Sequence, residues 1–227
     1  MRTTLFATSL FALAFAAPSV HAHQTGDFIV RAGAITVQTN ESTSGVKLDR
    51  GPAAGTDLGG KATLDNDTQL GLNFAYMLTD KWGVELLAAT PFTHNIGIKG
   101  TGVVDGKLGS RKLLPPTLSA VYYPVGGKSA FQPYVGAGIN YTWFFDEEVT
   151  SSAKQKGLNN LNVRDTWGWA VQVGADYMLT DNIMLNAQVR YIDIDTTAYV
   201  DVAGVGRAKV DVDIKPFVYM IGLGYRF

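Results

Sequence analysis

The 227 residues contain no cysteine and only three histidines. The first absence excludes disulfide staples, a thiol nucleophile and a thiolate zinc site. The second leaves too few imidazoles for a multi-histidine metal centre. Charge is also scarce: Asp, Glu, Lys and Arg make up 17% of the chain, against about a quarter in ordinary soluble domains. Neither sign dominates. Nineteen basic residues against twenty acidic ones give a net charge of −1, so the basic footprint of a nucleic-acid partner is missing. Beyond the N-terminus, no apolar run approaches the ~18 residues that a membrane-spanning helix needs.

What is present begins with an export address. Met1-Arg2 is a small positive region, Leu5 to Ala17 is apolar, and Val20-His21-Ala22 carries small residues at the positions a signal peptidase reads. Residues 1–22 are therefore predicted to be a cleaved secretory signal peptide, and residues 23–227 a single β-barrel domain. An exported chain without a spanning helix is secreted, periplasmic or a membrane barrel, and the hydrophobic period separates these.

That period is two. Leu70, Leu72, Phe74, Tyr76 and Leu78 fall on one face, and Gln69, Gly71, Asn73, Ala75 and Met77 on the other. The same split of bulky against small or polar recurs at Trp82–Thr90, around Gln132–Trp143, at Trp167–Tyr177, at Ile183–Tyr191 and at Phe217–Phe227. Eight such segments run at 28–38, 68–78, 82–92, 117–124, 131–145, 166–178, 183–194 and 209–227, with Pro216 marking a bulge or parity switch in the last. Each covers about the 9–11 residues of a tilted membrane strand. Connections alternate between short and long, as in outer-membrane barrels with short periplasmic turns and long extracellular loops. A soluble barrel would put its bulky side chains inward; here the inward set is Gly, Ala and polar residues. The fold predicted is all-β, an eight-stranded antiparallel transmembrane β-barrel of the bacterial outer membrane. Tyr76-Met77-Leu78-Thr79-Asp80 recurs as Tyr177-Met178-Leu179-Thr180-Asp181, each at a strand end leading into a short turn.

The stretches Gln132 to Trp143 (QPYVGAGINYTW), Tyr191 to Thr196 (YIDIDT) and Ile221 to Phe227 (IGLGYRF) carry a resemblance. With the leader, strand number and loop rhythm, the chain resembles the OmpW family of small outer-membrane channels over its whole mature length. The resemblance implies inward passage of small, mostly uncharged or hydrophobic molecules, with lateral exit through the barrel wall.

The residues themselves suggest where such a barrel works. Arg31, Glu85, Asp176 and Arg226 share inward parity near the periplasmic rim, and Arg190 faces inward from higher up. In a narrow tube, opposite charges at one depth pair, as a constriction the permeant passes or as a salt-bridged plug. Pro91 at the top of the third segment and Pro115-Pro116 at the start of the fourth remove ladder donors. They mark either a lateral opening or simply strand ends above the lipid. Leu48, Leu58, Leu64, Leu113 and Leu114, with Leu108, Leu158 and Leu161, are apolar residues on long loops. They read as a hydrophobic vestibule built on strand extensions, or as ordinary loop packing.

No catalytic residues are assigned. His23 would be the mobile new N-terminus, and His94 reads as a surface histidine at the start of a long loop. No nucleophile elbow is present, and Asp193, Asp195, Asp201, Asp211 and Asp213 lack calcium-loop spacing. No metal or cofactor is expected, and the protein is read as not an enzyme. Two functions remain open: a narrow channel for small neutral amino acids or small hydrophobic compounds, or a closed barrel acting through its extracellular loops as receptor, adhesin or envelope stabiliser. The partners expected are outer-membrane lipids and lipopolysaccharide, the permeant, and the insertion machinery that reads the terminal Phe227. A barrel that closes on itself needs no second copy, so a monomer is expected.

Overall fold

The computed structural model describes residues 23–100, 105–125 and 129–227; the leader read over 1–22 lies outside the described residues. In chain order the strands are β1 (Phe28–Gln38), β2 (Glu41–Thr43), β3 (Val46–Arg50), β4 (Asp57–Gly59), β5 (Lys61–Leu64), β6 (Asp67–Met77), β7 (Trp82–Ala89), β8 (Phe92–Lys99), β9 (Gly106–Leu114), β10 (Thr117–Tyr122), β11 (Phe131–Val149), β12 (Leu158–Val163), β13 (Thr166–Met178), β14 (Ile183–Val202), β15 (Gly206–Ile214) and β16 (Phe217–Arg226). One short helix, α1 (Ser151–Gln155), follows β11.

Eight strands form a closed antiparallel ring in the order β1, β6, β7, β10, β11, β13, β14, β16 and back to β1. The closing ladder runs from Ile29↔Arg226 to Gln38↔Phe217. Closure satisfies the backbone without leaving an edge in hydrocarbon. The period-two pattern explains which face turns outward. Leu70, Leu86, Leu118, Val135, Ile139, Val173, Ile221 and Leu223 are all exposed. In water this apolar band would be an aggregation surface; against lipid tails it matches its solvent. Tyr76, Trp82, Phe131, Tyr225 and Phe227 edge one end of the band, and Trp143, Trp167, Trp169, Phe217 and Tyr219 the other.

Glycine lets the tube be this narrow. Gly33 and Gly222 face each other across the β1–β16 ladder. A Cβ on Gly33 would lie 2.1 Å from the Ile221 carbonyl oxygen, and one on Gly222 2.2 Å from that of Ala32. The pentapeptide repeat also has a structural meaning. Leu78 and Thr79 both donate their amides to the Trp82 carbonyl, and Leu179 and Thr180 do the same to that of Ile183. In each turn the threonine hydroxyl accepts the two following free amides, those of Lys81 and Trp82 in one and Asn182 and Ile183 in the other. One sequence thus builds two periplasmic turns.

The long connections differ from their reading as loops. Most of their length is strand: β2–β5, β8, β9, β12 and β15 extend the wall beyond the aromatic belt. Two flanges result. One is β5-β8-β9 on the upper half of β11; the other is β4-β3-β15 with β12 on the upper half of β14. The cause is a period-two pattern continuing in the apolar residues: Phe92, His94, Ile96 and Ile98 on β8, and Ala208, Val210, Val212 and Ile214 on β15, all point inward. The segment read as 209–227 divides at Lys215-Pro216, and 82–92 divides at Thr90-Pro91. The fourth barrel strand stops at Tyr122.

Candidate functional site

The barrel interior has two compartments. The lower one is filled by charge. Arg31 donates Nε to Asp176 Oδ1 at 2.9 Å and Nη2 to Oδ2 at 2.6 Å, a bidentate pair. Its Nη1 donates to Asn73 Oδ1 at 2.9 Å and lies 3.5 Å from Glu85 Oε2, while Nη2 also reaches the Tyr123 hydroxyl. Arg190 donates to Glu85 Oε1 at 2.6 Å, and both bond to Gln172. Asn186 ties Asp176 to the Tyr134 hydroxyl. Two cations and two carboxylates, all essentially without solvent exposure, balance one another. Beneath them Ile29, Met77, Val121, Met178 and Met184 pack as an apolar floor.

Of the five charges read as constriction or plug, four meet and Arg226 does not. Arg190 belongs to this cluster despite its higher register, because a long side chain can lean down to Glu85. Arg226 stands outside it, at the periplasmic rim, with Asp27 at 3.5 Å. His23, read as a mobile end, is buried: its Nε2 lies 2.8 Å from Asp176 Oδ2 and its ring meets Tyr123 edge-on at 4.8 Å. The segment behind it crosses the periplasmic mouth as a strap. Thr25 donates its amide and hydroxyl to Asp80 Oδ1, at 2.9 and 2.7 Å, and the Gly26 amide bonds to the Met77 carbonyl.

Those Thr25 bonds hold the Asp80 carboxyl below its usual range. A depressed carboxylate gives a contact that is complete above the ordinary pKa and lost as pH falls through the depressed value. Acidification and Asp80→Asn are therefore expected to loosen the strap alike, with lower backbone amide order parameters at Gln24–Gly26 and no change in the barrel strands.

The upper compartment is an aliphatic chamber between the flanges. Val37, Ile96, Phe144, Ile192, Val210 and Val218 are among its lining side chains. Of the leucines singled out from sequence, Leu64, Leu108, Leu113 and Leu161 line it. Leu48 is buried in the surrounding cluster, and Leu58 packs partly against it. Leu114 is not part of the lining; it follows Leu113 and takes the opposite parity. A large share of the chamber comes from β-branched residues on β8, β14 and β15, whose alternation was the signal available. His94 corrects its reading as a surface residue: it is buried on β8 and faces this chamber.

The wall beside the chamber is discontinuous. Pairing between β7 and β10 ends at Leu87↔Thr117, and pairing between β8 and β9 starts at Phe92↔Leu113. Residues 88–91 and 114–116 between them, including Pro91, Pro115 and Pro116, have no ladder partner across this seam. On the far side Asn140 Nδ2 donates to the carbonyls of Pro115 and Pro116 at 3.0 and 3.1 Å. Pro115 also lines the chamber.

Comparison with known proteins agrees with this architecture. Outer membrane protein W of Vibrio cholerae is 44% identical over 228 residues, all of both chains. Its Escherichia coli counterpart is 45% identical over 209 residues, 92% of each. The crystal structure of the outer membrane protein OprG from Pseudomonas aeruginosa superposes with a TM-score of 0.86 at 51% identity, over 92% of this chain and 99% of that one. These relatives place the barrel in the bacterial outer membrane. The family model described as the OmpW family matches residues 24–227, and the chain belongs to that family.

Proposed function

We propose that the barrel is a channel for passive uptake of small, largely uncharged molecules, which enter the aliphatic chamber from outside and leave sideways into the bilayer. The observation that carries this reading is the position of the seam. Residues 88–91 and 114–116 lie level with the chamber, above a filled lower compartment. An eight-stranded barrel is only just wide enough to hold its own side chains, and here Arg31, Glu85, Asp176 and Arg190 occupy that space. A solute in the chamber therefore faces an ion-paired plug below and a proline-marked break at the side. The chamber's aliphatic lining supports small hydrophobic compounds over zwitterions such as small neutral amino acids.

The test is uptake into liposomes containing only the refolded barrel, with glycine, alanine, valine, lysine, glutamate and a small aromatic hydrocarbon against protein-free liposomes. Entry of the hydrocarbon alone is the expected result. Selective entry of small neutral amino acids would move the route to the lumen. No flux of any solute would leave the flanges as the working part, in a receptor or structural role.

A further inference from the structure

The chamber wall is aliphatic apart from a few polar groups, and most of these have spent their hydrogens on the protein. Thr142 Oγ1 donates to Asn140 Oδ1 at 2.7 Å, Thr196 Oγ1 to the Arg164 carbonyl at 2.7 Å, and Thr39 Oγ1 to the Leu64 carbonyl at 3.3 Å. Arg111 on β9 is held to the wall: its guanidinium lies 4.9 Å over the Phe144 ring, Nη2 donates to the Val163 carbonyl at 3.0 Å, and Nε and Nη1 are sealed from solvent. His94, in register with Arg111 on β8, is different. Its Nδ1 lies 2.5 Å from the Asp65 carbonyl oxygen, which can only accept, so Nδ1 carries the proton. Nε2 is then an acceptor in the neutral ring, and it makes no hydrogen bond among the described residues. The side chain is 2% exposed and lines the chamber. An acceptor in a dry aliphatic space, with no donor in reach, is costly until something supplies one.

The charged groups facing His94 are engaged elsewhere. Asp67 accepts the Thr68 and Thr93 amides and the Gln69 side chain, Asp65 accepts from Asn95, and Glu41 accepts the Leu64 amide. Across the ladder stands Arg111, partnered as above. Burial pushes the His94 imidazole below its usual range, against the opposing pull of Asp65, Asp67 and Glu41. The ring is therefore neutral at pH 8.

We infer that His94 Nε2 is the polar anchor for an uncharged hydroxyl compound in the chamber, the ligand's O–H donating to Nε2 and its apolar body lying among Leu64, Ile96 and Leu113. This rests on the chamber reading above and names a solute class within it. An alcohol supplies the missing donor; a ketone, ether or hydrocarbon of the same size does not. A site that accepts a hydrogen bond rejects the analogue lacking the donor, because its own acceptor stays unpaired. Charging the ring turns Nε2 into a donor, which alcohol and ketone oxygens both accept. The preference for a hydroxyl is therefore complete above the His94 midpoint and lost as pH falls through it.

The experiment uses the refolded barrel in lipid nanodiscs, with cyclohexanol and cyclohexanone, matched in size and differing in the donor. Binding is followed by calorimetry against protein-free nanodiscs. At pH 8 cyclohexanol is expected to bind about fivefold more tightly than cyclohexanone. Imidazole nitrogen NMR, assigned by the signals missing from His94→Asn, is expected to show Nε2 shifted by cyclohexanol and unmoved by cyclohexanone. His94→Asn keeps a donor for the Asp65 carbonyl but has no acceptor at the Nε2 position. It is expected to abolish the preference while leaving cyclohexanone binding within about twofold. His94→Phe repeats the test with the ring volume kept, and heat-modifiable gel mobility verifies folding of both variants. Equal binding at pH 8, a preference retained in the folded variants, or one that persists once NMR shows the ring charged, overturns the anchor and leaves the chamber reading standing. Binding of neither compound overturns both.

Discussion

Replacing Glu85 by alanine is expected to lower the unfolding free energy of the barrel by about 3–5 kcal/mol, the scale on which removing one partner of a buried ion pair destabilises a fold. The reason is the charge left behind. Arg190 donates to Glu85 at 2.6 Å and is 1% exposed, so the variant strands a guanidinium on Gln172 in a space closed to water. The double variant Glu85→Ala/Arg190→Ala removes both charges and is expected to be less destabilised than the two single variants summed. Its second effect is on passage. With two long side chains gone, water enters the lower compartment, and planar-bilayer recording is expected to detect small-ion conductance well above that of the parent barrel. Urea titration of liposome-embedded protein measures the first effect. A double variant as impermeable as its parent would mean that the apolar floor of Ile29, Met77 and Met184, rather than the ion pairs, seals the tube.

The second large effect is at the seam. Pro115→Thr/Pro116→Thr restores two backbone donors where β10 begins. If both pair with residues 88–91, opening the wall costs an additional ~2 kcal/mol at about 1 kcal/mol per hydrogen bond. Hydrocarbon uptake is then expected to fall by about tenfold or more, with the melting behaviour of the barrel unchanged or improved. The Asn140 side chain, which binds both proline carbonyls, keeps the β10–β11 side in place in either form. Uptake equal to the parent would place the exit elsewhere.

The barrel itself was legible because period two and lipid exposure act on every strand. The parity read for residues 69–78, 83–87, 132–142 and 217–227 is the parity observed. The flanges were less legible, since β8, β9 and β15 carry the same alternation but are interrupted by glycine and by register shifts, such as that between Ile96 and Gly97. The lower cluster followed from one-dimensional depth only in part. Depth put Arg226 with Arg31, yet Arg226 stays at the rim with Asp27, while Arg190, read as higher in the same plug, joins it through side-chain reach. His23 was missed for a different reason: nothing local in the sequence marks it as buried, and its partner Asp176 lies 153 positions away.

That separation has a counterpart in time. The tightest polar contacts of the lower compartment join distant parts of the chain: Arg31 to Asp176 across 145 residues, Arg190 to Glu85 across 105, and His23 to Asp176 across 153. Such contacts do not reward a partly assembled chain, because the loops they close are long. Hairpins that share the Leu-Thr-Asp turns form between neighbours and come early. The charges meet only after the circle is complete, so they act as a clasp fastened last. Their loss should quicken unfolding far more than it slows assembly, and His23 is among the last residues to find its place.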